Sequence, residues 1–410
     1  MNNPNDYLVG LDVGSHKVLC VIARPGEEPG RYRVMGFGLE PSRGVRNGIV
    51  TDLEAVVGSV NKAVGRARDS ANILRPEKAW AAIGGKTLTS ENCTGTAVVR
   101  GNEIKQADVN AAESNARENS RRQGRELIKM VPQGYSNGSA FTSTAPIGLT
   151  GPRVTAVYHA VYGSISNAEN MRRCLQRSGL ELAGYEPHPW AAAGAVLTES
   201  DRYCGTVVFD IGAETTSITL CYENMISFTD VRPYGAEFFT RDISSFFGMS
   251  LEEAENLKVS VGHCYVKDVQ PSETVQVRGE GELHPRRYSM ELLTKTLRAR
   301  AEEFFMLYRN LLEKAGCLDK VHCLVLTGGG SQLRGIDDVA QEIFGVPVRI
   351  GRPNCLEGQS SLARLPEASV AIGLIVAAAR GQALGDTRGY RTISFPNLSN
   401  KIKTFLLGDY

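Results

Sequence analysis

One short pattern occurs twice in this chain, and it constrains the fold more than any other feature. Near the start, an apolar run over residues 7–12 ends in Asp12. Val13, Gly14, Ser15 and His16 form a turn, and a second apolar run follows over 17–24. Near the middle, an apolar run over 206–210 ends in Asp210, Ile211-Gly212-Ala213-Glu214-Thr215-Thr216 turns, and a second run covers 217–222. Each copy has a third candidate strand, at 32–39 and at 225–231. Asp12 and Asp210 hold the same place in the two copies, as do Gly14 and Gly212. Such a duplication predicts two similar lobes, and 410 residues are too many for one ordinary core.

Around the two copies the periodicity changes. Leu53, Val56, Val57, Val60 and Val64 have helical spacing within residues 52–67, and a strand is expected at 79–83. Residues 84–161 have another texture: a strand at 96–99, a polar helix at 106–124, a Ser/Gly/Thr-rich loop at 133–150 and a strand at 154–161. This stretch reads as a small α+β insert, and a helix at 166–178 returns the chain to the main body. After the second copy, helices are expected at 241–247, 250–259 and 288–315. A strand at 321–326 leads into Thr327-Gly328-Gly329-Gly330. The apolar run 370–379 is too short to span a bilayer and contains Gly373, so it predicts a buried helix.

Beyond 379 the chain turns polar, as a linker would. In the final segment Leu398, Ile402, Phe405 and Leu406 lie on one helical stripe flanked by Lys401 and Lys403, with Asn397 or Ser399 as a cap. A basic amphipathic helix of this kind lies in a membrane interface; the plain alternative is a helix docked on the protein's own surface. Its apolar face is small, so one copy would bind lipid weakly and an array strongly. Asp409 and the terminal carboxylate weaken the electrostatic part.

A net charge of +1 gives no general electrostatic case for nucleic acid. The 9 cysteines are scattered without a C-x-x-C pair, against a disulfide framework or a zinc site. The N-terminus lacks a basic segment followed by an apolar one, so no signal peptide is expected.

A nucleoside triphosphate needs many donors near its phosphates and a metal to share the charge. Tight glycine turns supply backbone N–H groups at close approach. Asp12 and Asp210, facing each other across a cleft, would hold Mg²⁺ through its waters. Ser15 and Lys17 would meet phosphate from one side, Thr215 and Thr216 from the other. Gly328, Gly329 and Gly330 would pass under the adenosine. Any one of these turns alone is more often an ordinary hairpin; the matched pair together with the third turn makes a strong set. No G-x-x-x-x-G-K-[ST] loop is present, which removes the commonest alternative way to hold ATP.

The order of these motifs resembles the actin, Hsp70 and sugar-kinase superfamily, which implies an α/β, actin/Hsp70-like two-lobed duplicated ATPase fold. Within it the chain resembles the FtsA family of bacterial cell-division proteins over nearly its whole length. Gly10 to Ser15 is similar to the first phosphate motif, Val208 to Thr216 to the second, and Leu326 to Gly335, with Gln332, to the adenosine motif. Val131-Pro132-Gln133-Gly134-Tyr135 and Pro146-Ile147-Gly148-Leu149-Thr150-Gly151 resemble hallmarks of an insert subdomain peculiar to FtsA. Ala254-Glu255-Asn256-Leu257-Lys258, followed by Gly262, resembles a helix touching the nucleotide, which implies that role for Glu255 and Lys258. Their plain alternative is an exposed i, i+3 ion pair.

Residues 191–197 and 366–374 look like the helices connecting the lobes. The implied division is first-lobe core 1–83, FtsA-type α+β insert 84–163, first-lobe core and connecting helix 164–199, and second-lobe core 200–242. A small subdomain 243–307, second-lobe core 308–362 and second connecting helix 363–380 follow, then a linker 381–396 and the amphipathic helix 397–410.

Two departures stand out. The second turn usually has glycine where Glu214 stands, and often an acid where Ser217 stands. A carboxylate beside the terminal phosphate would repel it unless it points away or reaches the metal. A water-orienting residue is expected just before the first connecting helix. Glu186 and His188, in Tyr185-Glu186-Pro187-His188-Pro189, are the candidates, or are ordinary loop residues.

The resemblance implies a polymerising protein that binds ATP and Mg²⁺, with ATP mainly a conformational switch and hydrolysis slow. It implies that the chain tethers FtsZ, through its C-terminal peptide and the 243–307 subdomain, to the inner face of the cytoplasmic membrane at the division septum. Contacts with later division proteins would run through the insert, and filament contacts through copies of itself. The alternatives are a pilus-assembly actin-like adaptor and a small-molecule kinase with Asp210 as base.

Overall fold

The computed structural model describes residues 7–73, 76–265, 270, 272–277, 285–358 and 360–383. The first copy of the repeated unit is an antiparallel meander of β1 (Leu8–Val13), β2 (Lys17–Pro25) and β3 (Tyr32–Pro41). Asp12 pairs with Leu19 at its closed end. A small hairpin follows, β4 (Val45–Arg46) and β5 (Ile49–Val50). Its turn residues Asn47 and Gly48 have φ of 49° and 70°, the left-handed conformation that two-residue hairpin turns demand. Helix α1 (Leu53–Ala71) starts at Asp52, whose carboxylate accepts the Ala55 N–H at 3.1 Å. Its apolar face rests on β3, where Gly38 leaves room: a Cβ there would strike the Ala63 carbonyl. Strand β6 (Lys78–Ile83) then joins β1 in parallel.

Residues 89–164 build a separate four-stranded sheet with its own core. It contains β7 (Thr89–Val98), α2 (Gln106–Asn119), β8 (Arg125–Ser136), β9 (Phe141–Thr142) and β10 (Arg153–Ser164), in the order β7-β10-β8-β9. Val109, Ala112 and Ala116 of α2 pack on Val154, Ala156 and Tyr158. The loop expected at 133–150 begins later than the sequence indicates, because residues 133–136 belong to β8. The register along β10 shifts there, with Gly134 opposite Val157 and Pro132 opposite Tyr158. Gln133 is thus an extra, bulged residue between a proline and a glycine, and that local chemistry reads as loop.

The chain returns through α3 (Ile165–Arg177) to β11 (Glu181–Pro187), a strand parallel to β6. It then enters α4 (His188–Val196) and the short α5 (Glu199–Tyr203). The second copy follows as β12 (Thr206–Ile211), β13 (Thr216–Tyr222) and β14 (Met225–Arg232). Next come α6 (Glu237–Phe247), α7 (Leu251–Val261), a hairpin of β15 (Thr274–Val277) and β16 (Arg286–Ser289), and α8 (Met290–Lys314). Strand β17 (Cys323–Thr327) lies parallel to β12, and α9 (Ile336–Phe344) leads to β18 (Val348–Ile350). The meander β12-β13-β14 with its parallel partner β17 repeats β1-β2-β3 with β6. Lobe two is filled by an aromatic cluster in which Phe209 meets Phe305 and Tyr308 edge-on.

The division expected at residue 362 is crossed earlier. Strand β19 (Leu356–Glu357) pairs in parallel with β3, so it belongs to the lobe-one sheet. Helix α10 (Ser369–Ala383) then crosses α4 between the lobes. Glycine permits the crossing. A Cβ at Gly373 would overlap the Ala191 backbone, and one at Gly10 would meet the Ala371 carbonyl. Val196, Val208, Val325, Ile372 and Ile375 share one buried cluster with Leu8 and Val21, so the junction is solid core. No helix among the described residues is long and apolar enough to cross a membrane.

Candidate functional site

The two repeated turns close in the same way. The Gly14 N–H donates to the Lys17 carbonyl at 2.9 Å, and the Gly212 N–H donates to the Thr215 carbonyl at 2.9 Å. Each turn leaves its aspartate at the end of a buried strand, Asp12 on β1 and Asp210 on β12. Both are nearly inaccessible, at 4% and 5%. His188, the first residue of α4, lies between them. Its Nδ1 is 3.2 Å from Asp210 Oδ2, and its Nε2 is 3.7 Å from Asp12 Oδ1. Neither of those oxygens accepts a hydrogen bond among the described residues. The aspartates of the two lobes therefore converge on one small volume.

Burial pushes the Asp210 carboxyl above its ordinary range, and neighbouring Asp12 pushes it the same way, while His188 and Lys17 pull it down. Two buried carboxylates with unsatisfied oxygens favour a cation, so the donor chemistry fits Mg²⁺, which prefers oxygen and keeps water ligands. Lys17 Nζ stands 3.9 Å from Asp12 Oδ2 and also donates to the Glu367 carbonyl. Glu367 in turn accepts from Gln332 Nε2 at 2.7 Å.

The third glycine turn abuts the second. Gly328 has φ 80°, and a Cβ there would strike Asp210 Oδ1 and the Ile211 backbone. A Cβ on Gly330 would collide with the Ile211 side chain, whereas Gly329 faces open space. Helix α6 begins on the second turn, with Ala236 N–H donating to Gly212 O and Glu237 N–H to Ala213 O, each at 2.8 Å. Lys258 reaches back from α7 to the Ala236 carbonyl at 3.3 Å, to Thr240 Oγ1 at 2.8 Å and to Glu255 Oε2 at 2.7 Å. The i, i+3 pair of Glu255 and Lys258 thus forms and is also tied to the start of α6. Burial raises the Glu255 carboxyl, but Lys258, Thr240 and the His16 ring on the first turn bring it below the usual range. His16 and Glu255 belong to opposite lobes.

Two expected placements need correction, and a third residue finds its partner. The Thr216 side chain does not face the other lobe: it pairs with Ile211 on β12 and is fully buried with the lobe-two core. Its neighbour Thr215 lies one residue before the strand, in the half-buried turn. Glu186 is not a loop residue but the penultimate residue of β11, and its buried carboxylate pairs with Lys129 of β8. That partner comes from the insert, and nothing near Glu186 in sequence announces it. Glu214 reaches across to lobe one. It accepts from Arg46 Nη1 at 3.0 Å and from the Asn47 N–H, both on the β4–β5 hairpin of lobe one. Its φ is not positive, so the turn accepts a side chain there without backbone strain.

The β4–β5 hairpin is not among the expected elements, although Asn47-Gly48 between Val45 and Ile49 is a hairpin signal. Leu398, Lys401, Ile402, Phe405 and Leu406 lie outside the described residues.

Known proteins share these features. A family model for cell division protein FtsA matches residues 207–373, and one for the SHS2 domain inserted in FtsA matches 85–162. The chain is 32% identical to cell division protein FtsA of Neisseria meningitidis serogroup B, covering 93% of this chain and 92% of that protein. It is 30% identical to FtsA of Escherichia coli K12, covering 90% and 89%. Among solved structures it is similar to PilM in a PilM–PilN type IV pilus biogenesis complex, with TM-score 0.64 at 17% identity, covering 90% and 98%. It is also similar to MreB 5 of Spiroplasma citri bound to AMPPNP, with TM-score 0.55 at 15% identity, covering 92% and 97%. The fold is that of the actin-like ATPases with an SHS2 insert, and the chain belongs to the FtsA family of cell division proteins.

Proposed function

We propose that the protein binds ATP with Mg²⁺ between its lobes and uses the bound nucleotide as a conformational and polymerisation switch, with slow hydrolysis. The observation that carries this reading is the convergence of Asp12 and Asp210 on His188 at the lobe junction. Bound Mg²⁺ would share the charge of the phosphates. Asp12 and Asp210 would orient its waters, Ser15, Lys17 and the Gly212–Thr215 turn would meet the phosphates, and Gly328 to Gly330 with Gln332, Glu255 and Lys258 would enclose the nucleoside. His188 is placed to orient a water between the aspartates; Glu186, held by Lys129, is a poorer candidate.

Family membership supports the cellular part of the proposal. Polymers of the protein would tether the FtsZ C-terminal peptide to the inner face of the cytoplasmic membrane at the septum, through residues 397–410, and engage later division proteins. The test is Mg²⁺-dependent ATP affinity of Asp210→Ala. We expect binding to fall by about a hundredfold or more, since a buried charge partner is removed. An affinity equal to wild type would sink the reading.

A further inference from the structure

Glu214 stands in the second turn of lobe two, yet its side chain is bonded to lobe one. Its carboxylate is only 11% exposed. Arg46 Nη1 donates to it at 3.0 Å, the Asn47 N–H donates to it, and the Ser15 hydroxyl is a third donor. Ser15 Oγ itself accepts the Gly48 N–H at 3.0 Å. The successive N–H groups of the hairpin turn thus serve Glu214 and Ser15 together. Burial raises the Glu214 carboxyl, but these donors outweigh burial and leave it ionised at neutral pH.

Ser15 is a first-turn residue placed to receive phosphate, and the Glu214 backbone lies in the turn placed to receive it from the other lobe. An internal anion therefore already holds donors on both sides of that end of the cleft. An incoming terminal phosphate would have to share or displace this carboxylate, and two like charges at one set of donors repel. A diphosphate, one anionic group shorter, would leave the bridge intact.

We propose that Glu214 is a specificity-determining residue: an interlobe carboxylate that disfavours a third phosphate and sets the preference between nucleoside di- and triphosphates. The inference rests on the nucleotide reading above. Once Glu214 is neutral the charge repulsion is gone, and once its side chain is absent Ser15 and the hairpin N–H groups are free for phosphate. The same change removes a bridge between the lobes, which the nucleotide-free protein would register without any ligand.

The test uses full-length protein in Mg²⁺ and measures equilibrium affinities for ADP and ATP in wild type, Glu214→Gln and Glu214→Gly. Glutamine keeps the shape and removes the charge; glycine removes the side chain. Both variants should improve ATP affinity relative to ADP by about tenfold, with ADP affinity changed less than about threefold. Amide hydrogen exchange at residues 46–48 of the nucleotide-free protein should also be faster in Glu214→Gln. Normal binding of both nucleotides with an unchanged ratio would overturn this inference alone. Failure of every variant, and of wild type, to bind either nucleotide would overturn the nucleotide reading and this inference with it.

Discussion

At the scale of single residues, the chain buries polar groups in pairs that sequence distance conceals. His159 of β10 is an example. Its Nδ1 is 2.7 Å from Asn92 Oδ1, and its Nε2 is 3.0 Å from Thr229 Oγ1 of lobe two, which also accepts the Trp190 Nε1–H at 2.9 Å. A neutral ring that donates from Nδ1 and accepts the Thr229 O–H at Nε2 satisfies every partner. Burial lowers its pKa to about 3 from an ordinary 6.5. The unfolded chain therefore binds more protons below pH 6.5, and the stability this ring contributes is present above that pH and lost as pH falls toward 3. His159→Gln should flatten the fall in unfolding free energy below pH 6.5, by a slope that approaches roughly 1.4 kcal/mol per pH unit near pH 5, measured by urea titration; parallel pH profiles for the two proteins would refute the assignment. The aspartates and glycines of the repeated turns were legible because duplication marks them twice. The place of Thr216 was hidden because β13 begins at that residue and is buried from its first position, and the partners Lys129, Arg46 and Thr229 were invisible because each arrives from another part of the fold.

At the scale of elements, the lobes meet through two helices whose closeness depends on absent side chains. Gly373 on α10 sits against the Ala191 backbone of α4. Gly373→Val should force the helices apart and cost about 1–3 kcal/mol or more, read as a lower Tm. Gly58→Ala, at a helical position where a Cβ meets nothing, should leave Tm unchanged or slightly raised. Equal effects of the two substitutions would contradict the crossing argument. The helices with clear 3.6-residue periodicity, such as α1 and α8, and the strands of both meanders could be read from the chain. Strand β11 could not, because Gly184 and Pro187 mimic a loop, and β8 was obscured by its bulge at Gln133. The hairpin β15–β16 and helix α9 were also unanticipated: the hairpin has only four residues in each strand, too few for alternation to stand out.

At the scale of the whole molecule, the duplication dictates the design: two meanders, each with a buried aspartate near the end of its first strand, joined by a continuous buried core. The insert complicates this picture, since it touches lobe two as well as lobe one. Ser90 Oγ donates to Thr229 O at 2.6 Å, and Gln133 Nε2 donates to Ile226 O at 3.0 Å. A nucleotide that changed the lobe angle would therefore strain or shift the insert. The proposed membrane attachment belongs to this scale too. Full-length protein should pellet with anionic liposomes, whereas a form ending at Arg391, or carrying Phe405→Glu, should stay in the supernatant with ATP affinity unchanged. Pelleting of the truncated form would contradict the tether. The central claim is that two carboxylates from the repeated units serve one metal–triphosphate group. Its most direct test is a double-mutant cycle on Mg²⁺-dependent ATP affinity with Asp12→Asn, Asp210→Asn and the pair. Residues acting on one ion should be strongly non-additive, the double variant losing little more than the worse single variant. Losses that simply add, or single variants that bind ATP as wild type does, would contradict the account.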